Sequence, residues 1–293
     1  MRKTSSEYVK AVECGIQPTQ AVETKLYRKR WLVLGIFVVY SASNAMQWIQ
    51  YSIISNIITE YYHVSGFTVD MTSMIYMITY IPFIFPASYF LDKFEIKRST
   101  KKGLRYAALI GCFGTALGSW IKVFSVAPNR FWVTFVGHTF SAVSQTFILS
   151  MPSRLAAVWF GPDQVSSACS IGVFGNQLGV AIGFLFPPML VPSSDDPEIV
   201  EKGLQLMFYL GAGITSVITV LILLFFQAQP LLPPSPAQAV QREVEHSENF
   251  FQSVKRLIFN SGYLLLLFSY AINVGVFYAI STMLNEIVLQ HFP

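Results

Sequence analysis

Seven stretches of this chain are each long and apolar enough to cross a bilayer: residues 31–58, 71–91, 104–126, 131–152, 165–191, 204–227 and 258–289. A helix rises about 1.5 Å per residue and needs roughly 20 residues to span the hydrocarbon core. Lipid offers no water to satisfy an open backbone, so such segments cross as helices. The expected fold class is an all-α membrane protein. Composition agrees, with 53% hydrophobic and only 12% charged residues, against about 25% charged in soluble domains.

Lys and Arg between the spans set the orientation, because basic residues are retained on the cytoplasmic side. The amino-terminal tail carries seven (Arg2, Lys3, Lys10, Lys25, Arg28, Lys29, Arg30) and the loop after the second span six (Lys93, Lys97, Arg98, Lys101, Lys102, Arg105). Arg154 follows the fourth span, and Arg242, Lys255 and Arg256 follow the sixth. Lys122, Arg130 and Lys202 fall on the opposite side. A cytoplasmic amino terminus follows, which is the reverse of a seven-helix signalling receptor. Asp92 and Glu95 interrupt the basic run after the second span, so it is read as a topogenic loop, and no nucleic-acid partner is expected.

The first span carries an unusual face. Asn44, Gln47, Trp48 and Tyr51 stand at i, i+3, i+4 and i+7, which places two amides and two aromatics on one side of a helix. Polar groups in hydrocarbon are costly, so the stripe belongs against a bundle interior or a water-filled path. It serves either as interhelical glue or as a substrate pocket.

The spacing of the spans divides the chain. A tail, 1–30, precedes a six-helix bundle, 31–227. A linker, 228–257, holds Pro230, Pro233, Pro234 and Pro236 and a mixed-charge run. One further helix, 258–293, closes the chain. Transporters built from two six-helix halves would look like this if cut after the seventh helix. The expectation is a major-facilitator-type amino-terminal bundle whose carboxyl-terminal partner is missing.

Gly114 and Gly118 in the third span, and Gly175, Gly179 and Gly183 in the fifth, recur every four residues and predict close helix contacts. Cys14 lies in the tail and Cys112 and Cys169 within spans, so no extracellular disulfide framework and no cofactor site are expected. No nucleophile, base and acid fall at one membrane depth, so an enzyme is not expected. Trp120, Trp132 and Trp159 near span ends are read as interface anchors.

Several runs, in order along the chain, resemble the feline leukaemia virus subgroup C receptor family of major-facilitator transporters. They are Asn44-Ala-Met-Gln-Trp-Ile-Gln-Tyr-Ser52, Ser144-Gln-Thr-Phe-Ile-Leu-Ser-Met-Pro-Ser-Arg154 with Val158-Trp-Phe-Gly161, Phe174-Gly-Asn-Gln-Leu-Gly179, and Gly275-Val-Phe-Tyr-Ala-Ile-Ser-Thr282. The resemblance covers residue 27 to the end. It implies a twelve-helix carrier of choline and ethanolamine, with heme as an older assignment. It also implies that Trp48 and Tyr278, from the first and seventh helices, grip the ammonium, with Asn44 and Gln145 lining the cavity. Gln47 and Tyr51 join this candidate set through the helical stripe.

Physical chemistry is compatible with that assignment. A trimethylammonium has no N–H to donate and is held by aromatic faces, each worth about 2 kcal/mol when desolvated. No Asp, Glu, Lys or Arg is expected near the middle of the spans, which favours facilitated uniport over ion coupling. His138, on a stripe with Ser141 and Gln145, is expected to hydrogen-bond between helices and departs from the family, which has an amide there. Asp92 and Lys93, with Arg154, resemble gating positions, although Ser88 stands where a glycine is expected. Heme ranks below a small cation, since His138, Cys112, Cys169 and the methionines form no axial pair. A non-transporting protein that binds a partner is the alternative from another class. The expected partners are a small-molecule substrate and membrane lipid, and the expected state is a monomer.

Overall fold

A computed structural model describes residues 23–96, 103–194, 196–243 and 250–291. The tail to residue 22, with Cys14, and the basic positions 97, 98, 101 and 102 lie outside them. The long elements are α1 (Lys29–Ile49), α2 (Ser55–Tyr62), α3 (Gly66–Ile96), α4 (Gly103–Val123), α5 (Phe131–Leu149), α6 (Pro152–Trp159), α7 (Pro162–Leu190) and α8 (Pro197–Phe225). Then come α9 (Pro236–Glu243), α10 (Phe250–Ile258) and α11 (Ser261–His291).

Six of these runs, counting α1 with α2 as one, are long and apolar enough to cross a membrane. The expected fourth span is α5, which is not among the six. Its 19 residues include the buried His138, Ser141, Ser144 and Gln145. It is also shorter than expected, because the chain turns after Leu149 and restarts at Pro152, where a fixed φ and a missing N–H suit a first helical position. Pro162 and Pro197 start α7 and α8 in the same way.

The first span is not one continuous helix. After Ile49 it passes through a 3₁₀ turn, Ser52–Ile54, before α2. The expected linker holds two helices, α9 and the amphipathic α10, and α11 begins at Ser261, three residues later than expected.

Glycine sets the two tightest packings. A Cβ on Gly179 would lie 2.6 Å from Ala42 Cα and one on Gly175 3.0 Å from Val38 Cα, so α7 lies against the α1 backbone. Gly118 and Gly137 face each other in the same way between α4 and α5; a Cβ on Gly137 would sit 2.6 Å from Gly118 O. Elsewhere the outer faces are apolar and exposed, with Phe174, Leu185 and Met189 on α7 and Val217 and Leu224 on α8. Such continuous apolar exposure belongs in lipid.

The interior has two apolar ends. One holds Leu34, Phe37, Tyr40, Leu155, Trp159 and Phe160, with Ile222 and Phe226. The other holds Tyr51, Ile58, Tyr62, Phe131, Leu204 and Phe208. Trp159 is 2% exposed within the first of these, which corrects its reading as an interface anchor: its end of α6 turns inward. Trp120 and Trp132 do face outward. Between the two ends, α1, α4 and α5 bring a layer of polar side chains together.

Candidate functional site

Trp48 and Tyr278 meet. Their ring centroids are 5.0 Å apart and the planes cross at 69°, edge to face. Trp48 is 3% exposed and Tyr278 is half-buried. Ala45, Ile49, Tyr76, Ala142 and Val180 form the apolar cluster around the indole, with Phe184 and Tyr278 packed on it. The indole is fixed from α3. Trp48 Nε1 donates to Ser73 O (3.2 Å), Ser73 Oγ donates to Trp48 O (3.3 Å), and the Ser52 and Ser73 hydroxyls are 2.6 Å apart.

Tyr278 arrives on α11, most of which is exposed. This helix docks on the 3₁₀ turn and on α3. Asn285 Nδ2 donates to Ser55 Oγ (3.0 Å) and Asn56 Oδ1 (3.3 Å). The break in the first span therefore supplies the surface that seats α11 beside Trp48.

The other stripe residues turn into the polar layer. Asn44 is fully buried, and its Nδ2 donates to Thr115 Oγ1 and to Ser141 O, both at 3.1 Å. Gln47 Oε1 accepts from Lys122 Nζ (2.6 Å), Ser119 Oγ (3.1 Å) and Ser141 Oγ (3.3 Å). Tyr51 packs on His138 with centroids 5.0 Å apart, and Tyr76 packs on His138 at the same distance. Gln145 is buried one turn along α5 from Ser141. Arg154 lies half-buried on α6. The backbone of Asp92 and Lys93 continues α3, but their side chains lie outside the described residues.

Lys122 does not reach outward as a basic residue at a span end would. It sits in the last turn of α4, yet its side chain runs inward and is 3% exposed. The signal was present in the sequence: Thr115, Ser119 and Lys122 stand at i, i+4 and i+7 and share a helix face. His138 differs from expectation too. Neither ring nitrogen makes a hydrogen bond of good geometry, and the Tyr51 and Tyr76 rings pack against it. Tyr76 and Ser73, three residues apart on α3, also form the site, and no motif or spacing in the sequence marks them.

An aromatic pair enclosed between two membrane helices, beside a polar interior, is the kind of site found in helical carriers of small solutes. Residues 36–293 match the Major Facilitator Superfamily, and the chain belongs to that family. It is 50% identical over 272 residues to the zebrafish (Danio rerio) choline/ethanolamine transporter flvcr2b, covering 92% of this chain and 54% of that protein. Human choline/ethanolamine transporter FLVCR2 is 44% identical over 270 residues, with 92% and 50% covered. The cat (Felis catus) choline/ethanolamine transporter FLVCR1 is 42% identical over 280 residues, with 95% and 49% covered. The chain spans about half the length of the curated relatives it matches.

Proposed function

We propose that this chain forms the substrate-gripping half of a facilitative carrier for choline-like amines, choline and ethanolamine among them. The observation that carries this is the contact of Trp48 with Tyr278 across two helices. An ammonium within about 6 Å of both ring centroids would be attracted by both. The surrounding Ala45, Ile49, Ala142 and Val180 provide desolvation, which strengthens the attraction. The names of the similar proteins support the same substrate class.

In this reading the rings also act as a gate. With centroids 5.0 Å apart they touch, so a trimethylammonium enters when α11 moves off the 3₁₀ turn and leaves when it moves again on the other side. Residues 31–227 act as one rocking body, and α11 belongs to the opposing one, joined by residues 228–257. Gln145 lines the path, and Asp92, Lys93 and Arg154 brace the closed state on the basic side. The carrier is a monomer in the plasma membrane with its amino terminus in the cytoplasm, and it performs no catalysis.

Equilibrium binding of labelled choline to the purified protein tests the reading. Competition by 3,3-dimethyl-1-butanol, the neutral carbon isostere, should be at least about 10-fold weaker than by unlabelled choline, since it lacks the charge that each ring attracts. Equal competition by the two would refute the aromatic grip.

A further inference from the structure

The buried lysine presents a problem that the amine site does not solve. Lys122 Nζ meets one neutral acceptor, Gln47 Oε1 at 2.6 Å, and among the described residues no carboxylate forms an ion pair with it. An unpaired buried charge is expensive. Around it, polar groups contributed by three other helices are also left over. Gln47 Nε2 is buried without a hydrogen-bond partner, and the Tyr51 and Tyr76 hydroxyls and both His138 nitrogens are buried without a hydrogen bond of good geometry. Buried polar groups in folded proteins are nearly always satisfied, so a cluster of exceptions needs an explanation.

These groups form one patch. Gln47 Oε1 accepts from Lys122 and from Ser141, and His138 lies three residues from Ser141 on the same face of α5. Tyr51 and Tyr76 each pack on His138 with centroids 5.0 Å apart, and Lys122 lies within electrostatic reach of the same imidazole. The side chains are all buried, at 0 to 3% exposure.

Their chemistry leans toward donation. An ammonium has only N–H donors, the free end of the Gln47 amide is a donor, two phenols can donate, and a neutral imidazole always keeps one N–H. The Gln47 amide cannot be reversed to change this, because its oxygen already accepts from Lys122, Ser119 and Ser141. A cation is excluded by Lys122, and a substrate amine would be repelled by it. One small monovalent anion would neutralise one ammonium and accept from the unpaired donors together.

We propose that Lys122, Gln47, Tyr51, Tyr76, His138 and Ser141 enclose a binding site for a small inorganic anion of the halide class, chloride being the abundant candidate. The anion joins α1, α3, α4 and α5 at the level of the polar layer, and so stabilises the bundle independently of whether the Trp48–Tyr278 pair binds an amine.

The test is a thermal unfolding series on the full purified chain in detergent, with gluconate replaced by chloride at constant ionic strength. Chloride at about ten times its dissociation constant should raise the wild-type midpoint by roughly 3–5 °C, saturably. Lys122→Met should melt at the same temperature in both salts, and Lys122→Arg should keep a chloride response. If Lys122→Met does not fold, Tyr76→Phe decides: its half-saturating chloride concentration should rise several-fold. Bromide bound at this position, seen by its anomalous scattering, would support the proposal directly. A wild-type midpoint indifferent to chloride, as expected of a neutral amine or of water at the site, overturns it. So does a response of equal size and half-saturation in the Lys122 and Tyr76 variants.

Discussion

Trp48 and Asn44 sit one turn apart on α1 and have opposite tasks. Trp48 faces Tyr278 in an apolar setting, so its removal should act on ligand affinity. With about 2 kcal/mol at stake for a desolvated ring, Trp48→Ala should weaken choline binding roughly 30-fold, and Trp48→Phe by less, in equilibrium binding. Tyr278→Phe keeps the ring and should retain most of the affinity. Asn44 is different, because both of its N–H donors are spent on Thr115 and Ser141. Asn44→Ala would strand those acceptors and should cost about 1–3 kcal/mol of stability, read as a lowered unfolding midpoint. Lys122→Met removes an unpaired buried charge. In chloride-free medium it should therefore be neutral or stabilising in the same assay, as exchange of buried charges for apolar groups often is.

Helix contacts explain why some of this was legible in the sequence and some was not. The four-residue glycine spacing in the fifth span pointed to close packing, and α7 does lie on α1 through Gly175 and Gly179. Gly179→Ala would drive a methyl into the Ala42 backbone, which cannot yield as a side chain tip does. It should cost about 1–3 kcal/mol by thermal unfolding. Gly213→Ala, with open space around it, should be neutral or slightly stabilising through helix propensity. Apolar length located the spans because burial of backbone in lipid is a local requirement of each segment. The break at Gln50–Ile54 was invisible, since no Pro or Gly marks it, and the 3₁₀ turn is held by its tertiary partner Ser73, with Asn285 bonded to the start of α2 just beyond it. Lys122 misled for a related reason. A lysine near a span end usually reaches for water, and only the inward face shared with Thr115 and Ser119 betrays that this one does not.

At the scale of the molecule, the Trp48–Tyr278 pair was named from a family resemblance, and α1 and α11 bring it together across 230 residues of sequence. No periodicity within either helix could have shown that meeting, because it depends on how α11 docks on the 3₁₀ turn. The account joins this contact to a carrier in which two bodies part and close around an amine. Its central claim is best tested by uptake of labelled choline into cells lacking their own carriers. The cells would express this chain, and the chain extended by any coding sequence that follows it, each with and without Trp48→Ala. The account predicts choline uptake by the extended form, lost on Trp48→Ala at unchanged surface level. If neither form moves choline although both reach the surface, or if uptake survives Trp48→Ala undiminished, the aromatic grip is not how this protein works.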